Sequence, residues 1–203
     1  LYTHFGTADS DETYFVKQKN AFHDIISRLP WIPKVVHASN SSATIKYETN
    51  MNLTTHARIG ISLYGYSLEN SVTFLKPVMS LIAHVSVIKA LNPGDKIGYN
   101  ITYEAGEKER IGILPIGYAD GWIRSNQGGK VLIGGERYPI VGRICMDMTF
   151  IKVDETVKEG CEVVLFGERT LTADTVATRT DTISYEVLCQ ISKRVPRVYK
   201  NRK

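Results

Sequence analysis

The first part of the chain combines short apolar runs with longer amphipathic patterns. An apolar stripe at helical spacing runs from Phe15 to Leu29, after the acidic residues 8–12 and before Pro30, and it predicts a helix. The small polar run at residues 39–44 predicts the N-terminus of a second helix. Strand-like apolar runs lie at residues 1–5, 35–38 and 57–65. Strands and helices in this order are typical of parallel βα units.

From Pro77 onward the pattern changes to many short β-prone runs. Turn signals such as Asn92-Pro93-Gly94-Asp95 and Gly134-Gly135 separate them. The predicted strands cover residues 78–88, 96–102, 110–116, 130–133, 138–144, 149–153 and 162–166. This spacing indicates a compact antiparallel barrel or sandwich. Residues 171–187 contain possible helical turns. A domain boundary is therefore expected between Tyr66 and Pro77, with an α/β domain at 1–66 and a β-rich domain at 67–203.

Composition and charge narrow the class of protein. The chain has 203 residues and a net charge of +4. Its dense basic cluster is the tail made of Lys193, Arg194, Arg197, Lys200, Arg202 and Lys203. A terminal cluster without interleaved aromatic residues favours a solvated tail over a nucleic-acid surface. Neither nucleic acid nor a membrane is expected as a partner, since no apolar run is long enough to span a bilayer.

The three cysteines and the start of the chain add two expectations. Cys145, Cys161 and Cys189 form no CxxC or Cys/His pattern, so we expect no disulfide framework, no metal site and a reducing, cytoplasmic compartment. The chain starts at Leu1, directly in a strand-like run. Three strands cannot close an eight-stranded α/β barrel, so if this part belongs to such a barrel, most of the barrel is expected to precede Leu1.

Three glycine-flanked blocks in the β-rich part carry a family resemblance. They are Gly98-Tyr99, the run Pro115-Ile116-Gly117-Tyr118-Ala119-Asp120-Gly121, and Gly142-Arg143-Ile144-Cys145-Met146-Asp147. Each alone is ordinary turn chemistry, since glycine supplies positive φ and aspartate bonds its own backbone. Together they closely resemble the C-terminal region of alanine racemase, a family of fold-type III pyridoxal 5'-phosphate enzymes that interconvert L- and D-alanine.

The resemblance covers essentially the whole chain, in order. Further matching motifs are Thr3-His4-Phe5, His37-Ala38-Ser39-Asn40-Ser41, Arg58-Ile59-Gly60-Ile61, Ser184-Tyr185-Glu186 and Arg194-Val195-Pro196-Arg197. The resemblance implies the last βα units of a TIM-type (β/α)8 barrel followed by an antiparallel β-domain. It also implies a homodimer whose active site is shared between subunits, and production of D-alanine for cell-wall peptidoglycan.

The same resemblance implies the residues that hold the cofactor. The phosphate would be bound by Ser41, Gly60, Ile61 and Tyr185, and Asn40 would lie beside them at the cofactor. Arg58 would face the pyridine nitrogen, and because a guanidinium does not give up its proton, that nitrogen would stay unprotonated. Taken alone, Ser41 would be interpreted as a helix N-cap.

Catalysis is implied to depend on Tyr99 from the partner subunit. Racemisation removes a proton from one face of Cα and returns it to the other, so Tyr99 and a lysine would act as two bases, with His4 and Arg58 nearby. The substrate site of the neighbouring subunit would be lined by Cys145, Met146 and Asp147. Tyr118, Asp9, Arg124, Arg143 and Ile183 would form the narrow entrance. Without the resemblance, His4 and Met146 would be interpreted as core residues.

One departure from the family pattern affects activity. The lysine that forms the Schiff base lies, in this family, in a motif that is absent from this chain, as does a barrel arginine that holds the substrate carboxylate. We therefore expect this polypeptide alone to be inactive. Two alternatives stay open: a serine-preferring or broad-specificity racemase, and a β-domain that serves only in interaction or dimerisation.

Overall fold

The computed structural model describes residues 1–47, 54–68, 72–167 and 170–200. The chain forms two compact units, Leu1–Val78 and Met79–Lys203. The division lies just beyond the stretch between Tyr66 and Pro77 in which the sequence predicts a boundary. Within the described ranges, each helix is too short or too polar to cross a bilayer.

The first unit contains the two predicted helices. Helix α1 (Glu12–Ser27) begins after Asp11, whose side chain accepts a hydrogen bond from the Tyr14 amide. This cap satisfies one of the free N–H groups of the first turn. Helix α2 (Ser41–Tyr47) starts inside the small polar run. Both predictions are confirmed because local capping chemistry, which the sequence displays, decides where a helix begins.

The three strands predicted in this unit are not formed among its described residues. The extended segments meet only at isolated parallel bridges, Tyr2 to His37 and His37 to His56. Backbone hydrogen bonds join these segments at single positions, as from the Thr3 amide to the His37 carbonyl, and the Val36 amide donates to Thr55 Oγ1 at 2.9 Å. The third predicted strand instead contains a 3-10 helix, Ile61–Tyr64.

A single core holds the first unit together. The centroid of the Phe15 ring lies 4.8 Å from that of Phe5 and 4.0 Å from that of Tyr47. The Phe15 ring is edge-on to Phe5 and stacked on Tyr47. The buried members of this core are Phe5, Ala8, Phe15, Phe22, Ile26, Val36, Ala38, Ala43 and Tyr47. Helix α1 thus covers the extended segments with the face that its sequence pattern predicts.

The second unit is built on an antiparallel sheet. Its strands are β1 (Leu81–His84), β2 (Val87–Leu91), β3 (Lys96–Ile97), β4 (Tyr103–Glu104), β5 (Glu109–Leu114), β6 (Lys130–Ile133), β7 (Glu136–Val141), β8 (Thr149–Val153) and β9 (Glu162–Phe166). Seven of them form one sheet in the order β1-β9-β6-β7-β8-β5-β2, and β3 pairs with β4 alone. The predicted antiparallel class is confirmed for this unit.

The sheet is curled, and a corner in one strand explains why. β1 and β2 lie at opposite ends of the sheet order, yet only Val85 and Ser86 connect them. The Val85 amide donates to the carbonyl of Cys161, just before β9, and the Ser86 amide donates to the carbonyl of Ile113 in β5. The two ends of the sheet therefore meet at this corner, which leaves little free strand edge there.

Two predictions about strand length in this unit are wrong. The run predicted at 78–88 divides at the corner into β1 and β2. The run predicted at 96–102 is a strand only at Lys96–Ile97, because Gly98 has φ 80° and breaks the extended chain. Near the end of the chain, the possible helical turns are two helices, α3 (Ala173–Arg179) and α4 (Ser184–Gln190), and the first is capped by Thr172.

Candidate active site

Tyr99 lies on a strained turn between β3 and β4. Its side chain is 70% exposed. Asn100 and Ile101 follow with φ of 60° and 53°, and left-handed backbone at a β-branched residue is an outlier that costs about 1–3 kcal/mol. A Cβ on Gly98 would lie 2.9 Å from the Arg143 amide nitrogen. The turn is therefore pressed against the backbone of the third sequence block.

The second and third blocks interlock through their main chains. The amides of Tyr118 and Ala119 donate to the carbonyls of Cys145 and Met146 at 3.1 and 2.9 Å. A Cβ on Gly117 would lie 2.2 Å from the Cys145 carbonyl oxygen, so only glycine allows this approach. These contacts bring together two segments that are far apart along the chain.

All three blocks meet around one cleft of about 310 Å³. It is lined by Tyr99, Asn100, Tyr118, Arg124, Arg143 and Ile144. Four of these six residues are predicted site residues. The cleft combines two exposed phenols, of Tyr99 and Tyr118, with two guanidinium groups, which suits a small substrate that carries a negative charge.

Other predicted residues of this unit lie around the cleft and do not line it. Met146 is 56% exposed, which is inconsistent with core packing in this unit, and Asp147 is also exposed. Cys145 is buried, and its thiol donates to the Arg143 carbonyl at 3.6 Å. Burial and the Asp147 charge raise the pKa of Cys145, and Arg124 opposes them.

Two more predicted residues of the second unit lie on or beside α4. Ile183 is the N-cap residue of this helix and is 52% exposed. Tyr185 lies in its first turn and is half-buried. Neither residue lines the cleft, and their predicted roles stay predictions.

In the first unit, Arg58 is held by two imidazoles. Its Nη atoms lie 2.7 Å from His4 Nδ1 and 2.9 Å from His37 Nδ1, and Nη2 donates to the Thr3 carbonyl at 3.1 Å. A guanidinium only donates, so both Nδ1 atoms accept and the rings carry no proton there. His4 is exposed, contrary to a core role. The structure thus joins two predicted residues, His4 and Arg58.

His37 belongs to this arrangement although the sequence does not predict it as a site residue. Desolvation and the Arg58 charge lower the pKa of His37. Its ring also stacks on Tyr2, with centroids 5.3 Å apart. The neutral ring fixes the orientation of Arg58. The signal in the sequence is its place as the first residue of the matching motif His37-Ala38-Ser39-Asn40-Ser41.

Ser41 forms a second donor-rich position in the first unit. Its Oγ is buried and accepts from the amides of Gly60 at 2.9 Å and Ser62 at 3.4 Å. The Ser62 hydroxyl is also buried and finds no hydrogen-bond partner within the described part of the chain. A buried hydroxyl without a partner, beside Ser41 and its two backbone amides, fits an oxygen of an anion such as phosphate.

Asn40 takes the capping role that the sequence alone suggests for Ser41. Its Oδ1 accepts from the Ala43 amide at 2.9 Å, and its Nδ2 donates to the Phe5 carbonyl at 3.3 Å. The side chain of Ser41 is therefore free of the cap of α2 and points to the Gly60 loop. Ile61, the neighbour of Gly60, is buried, and Asp9 is exposed before α1.

Family sequence patterns match both units. The alanine racemase N-terminal domain matches residues 1–68, and the alanine racemase C-terminal domain matches residues 78–199. The second match alone covers more than half of the chain.

This chain belongs to the alanine racemase family.

Individual racemases agree with this assignment. The alanine racemase of Ligilactobacillus salivarius is 41% identical over 98% of this chain and 56% of its own length. The crystal structure of the Bacillus anthracis alanine racemase with bound L-Ala-P is 40% identical, with a TM-score of 0.91, over 98% of this chain and 54% of that one.

A more distant alanine racemase was solved with its cofactor. The Bartonella henselae enzyme, with covalently bound pyridoxal phosphate, is 29% identical with a TM-score of 0.84, over 98% of this chain and 56% of that one. This chain therefore spans about half the length of the alanine racemases it matches.

A second, larger cavity holds none of the predicted site residues. Its volume is about 590 Å³. It lies at the β6–β7 turn and the start of β9, and its lining includes Glu136, Tyr138, Cys161 and Glu162. Among the described residues, His, Cys, Asp and Glu side chains form no cluster of three that could hold a metal ion. All three cysteines are free.

Proposed function

We propose that this chain is the C-terminal part of a pyridoxal-phosphate-dependent alanine racemase, in which Tyr99 acts as one of two bases. The observation that carries the proposal is the position of Tyr99: an exposed phenol on a strained turn, in a cleft that it shares with Arg124 and Arg143. An exposed phenol can reach a substrate. The two guanidiniums attract the carboxylate of an incoming amino acid.

The residues of the first unit fit the cofactor. The Ser62 hydroxyl offers an unpaired donor for its phosphate, and beside it the Ser41 hydroxyl accepts from the amides of Gly60 and Ser62. When bound, pyridoxal phosphate supplies the electron sink that makes the Cα–H bond of an amino acid acidic. Asn40 would hold the helix beside these donors through its cap. Ile61 and Tyr185 are proposed phosphate contacts on the resemblance alone.

Arg58 is proposed to face the pyridine nitrogen. The imidazoles of His4 and His37 accept from its Nη atoms and hold the guanidinium in place. Because Arg58 has no proton to give up at neutral pH, it would leave that nitrogen unprotonated. An unprotonated pyridine ring would withdraw electrons less strongly, which favours prompt return of the proton to Cα over side reactions.

The remaining parts of the site are proposed to come from other segments. The second base would be a lysine outside this chain. The neighbouring subunit of a homodimer would supply Tyr99, and Cys145, Met146 and Asp147 would lie beside the substrate. The entrance would be formed by Tyr118, Asp9, Arg143 and Ile183. This chain alone would then be inactive. The product, D-alanine, would serve cell-wall synthesis in the cytoplasm, a reducing compartment that suits three free cysteines.

The test is racemisation in heavy water by the complete protein with pyridoxal phosphate. L-alanine should lose its Hα signal in the NMR spectrum as D-alanine forms, because the returned proton comes from solvent-exchanged bases. The isolated 203-residue chain should show no turnover. Faster turnover of serine would favour the broad-specificity alternative. No turnover of either amino acid by the complete protein would contradict the proposal and favour an interaction module.

A further inference from the structure

A polar network with one buried carboxylate joins the β3–β4 hairpin to the main sheet. The Tyr103 hydroxyl donates to Glu109 Oε2. Lys152 Nζ donates to Glu109 Oε1 at 3.0 Å and to Glu107 Oε1 at 3.3 Å. The Glu109 side chain is only 5% exposed, whereas that of Glu107 is 75% exposed. The network connects β4, β5 and β8, and it includes none of the residues that line the cleft.

Around neutral pH, Glu109 is ionised, and Lys152 and Tyr103 are protonated. Burial opposes ionisation of Glu109, yet the hydrogen bonds from Tyr103 and Lys152 bring its pKa below the usual value. The hydrogen bond to Glu109 raises the pKa of Lys152. Burial and Glu109 raise the pKa of Tyr103 to about 12. Hydrogen bonds to an ionised carboxylate are roughly twice as strong as those between neutral groups.

The β3–β4 hairpin cannot hold its own shape. It has two residue pairs, Lys96 with Glu104 and Ile97 with Tyr103, and a two-stranded hairpin of this size is at best marginally stable. The ion pair of Lys96 with Glu104 is about half exposed on both sides and contributes little. The strained turn between the strands adds a further cost. Contacts with the main sheet must therefore hold the hairpin.

Tyr103 makes those contacts. Its ring and Ile97 pack against the buried cluster of Leu91, Ala105, Ile111 and Val141. A Cβ on Gly142 would lie 3.7 Å from Tyr103 Cβ, so the hairpin also rests on the residue that precedes Arg143 of the cleft. The hydroxyl, which reaches Glu109, is the polar end of this attachment.

We propose that Tyr103, Glu109 and Lys152 are positioning residues that fix the hairpin so that Tyr99 faces the cleft. The proposal deepens the proposed racemase function and rests on it. Loss of the Tyr103 hydroxyl leaves the strained turn free to relax, and the phenol of Tyr99 then moves from its reactive position. A displacement of about 1 Å at a reacting group can cost about 10²-fold in rate.

The experiment compares Tyr103→Phe with Tyr138→Phe in the complete protein with pyridoxal phosphate. Tyr138 is a matched control, because its hydroxyl donates to the carboxylate of Asp154 at 3.0 Å, in the same unit but outside the cleft. In Tyr103→Phe, kcat for alanine should fall by about 10- to 100-fold while KM changes by less than about twofold. Tyr138→Phe should keep kcat within about twofold of wild type.

A kinetic isotope effect separates positioning from general loss of structure. With α-deuterated alanine, the isotope effect on kcat should rise in Tyr103→Phe for the enantiomer whose proton Tyr99 removes, and not for the other. A merely destabilised enzyme would lose active molecules without changing this effect. Lys152→Met should lower kcat. Lys152→Arg, which keeps the positive charge beside Glu109, should retain most of the wild-type kcat. The lysine pair also serves as the test if Tyr103→Phe does not fold.

Amide hydrogen exchange of residues 96–104 gives a readout that does not depend on activity. Exchange should be faster in Tyr103→Phe than in wild type and unchanged in Tyr138→Phe. Equal kcat, isotope effect and exchange in the two phenylalanine variants would overturn the proposal. A wild-type protein without racemase activity would refute the proposed function, and the exchange data would still decide whether the network anchors the hairpin.

Discussion

At the residue scale, the proposed chemistry depends on two groups with fixed surroundings, the exposed Tyr99 and the partly buried Arg58. Tyr99 is held by a turn whose two following residues have left-handed backbone. Arg58 is held by His4 and His37, which accept from its Nη atoms. In both cases the neighbours restrict a side chain that would otherwise move freely. Such restriction is what a group needs before it can act on a substrate.

The first residue-scale prediction concerns Tyr99→Phe in the complete protein. Removing the hydroxyl removes a proton-transferring group, which contributes about 10²- to 10⁴-fold to rate. The kcat for alanine should fall by a factor in this range, measured by D-alanine formation. Tyr14→Phe is the control, since Tyr14 is half exposed on α1. Equal activity of the two variants would show that Tyr99 is not a base.

The second residue-scale prediction concerns Arg58→Lys. A lysine has one nitrogen and cannot reproduce the fork that reaches His4, His37 and the Thr3 carbonyl together. We expect a loss of about 1–3 kcal/mol in the free energy of unfolding, measured by urea denaturation. Arg28→Lys provides the control, because that side chain lies in an exposed helical ion pair with Asp24. An unchanged unfolding midpoint in Arg58→Lys would contradict the assigned hydrogen bonds.

At the element scale, turns and strand partners place the site. The loop at residues 115–121 and the loop at residues 142–148 share main-chain hydrogen bonds, and the β3–β4 hairpin rests on Gly142. The glycines of these blocks are needed for close approach of two backbones rather than for chemistry. The polar network under the hairpin gives this arrangement a dependence on pH.

An element-scale prediction concerns Gly117→Ala. Its Cβ would lie 2.2 Å from the Cys145 carbonyl oxygen, so the two loops must separate. We expect a loss of about 1–3 kcal/mol in the free energy of unfolding. Gly106→Ala is the matched control, because a Cβ there meets nothing within 4 Å. Similar urea midpoints for the two variants would mean that the loops are not in close contact.

A second element-scale prediction concerns pH and Glu109→Gln. The pKa of Glu109 is lowered in the folded state, so its contribution is present above the unfolded value of about 4.3 and is lost as pH falls through the folded value. The pKa of Lys152 is raised, so its contribution is lost only as pH rises through a value above about 10.4. Wild type should therefore exceed Glu109→Gln in stability at pH 7.

The measurement is urea denaturation of both proteins between pH 3 and pH 8. The difference at pH 7 should be about 1.5–3 kcal/mol, the contribution of hydrogen bonds to a charged group. It should shrink as the pH falls below the unfolded value of about 4.3, because the unfolded chain then binds a proton that folded Glu109 binds only at lower pH. A difference that does not depend on pH would show that the carboxylate is not ionised in the folded protein.

At the scale of the whole molecule, the two units carry different parts of the proposed chemistry. Leu1–Val78 contains Arg58 and the Ser41 position, and Met79–Lys203 contains the Tyr99 cleft. If Tyr99 serves the neighbouring subunit, each active site needs one unit from each of two copies. A defect in either unit would then be complemented by a copy with the other defect.

Subunit mixing tests this arrangement. Tyr99→Phe and Arg58→Gln proteins, each of low activity, are unfolded together and refolded. About a quarter of wild-type activity should return, because half of randomly paired dimers are mixed and each mixed dimer has one intact site. Refolding each variant alone provides the control. A lack of recovery in the mixture would mean that Tyr99 serves its own subunit.

The sequence alone determined the family, the two-part organisation of the pattern, both helices of the first unit and the strands at 130–133, 149–153 and 162–166. These features depend on capping side chains, hydrophobic period and glycine turns, which act over a few neighbouring residues. Only the tertiary structure decided that the strands of the first unit shrink to bridges and that β1 and β2 meet at a corner. It also decided that Glu109 meets Lys152, 43 positions away. Such contacts depend on the register and curl of the whole sheet, which no local pattern encodes.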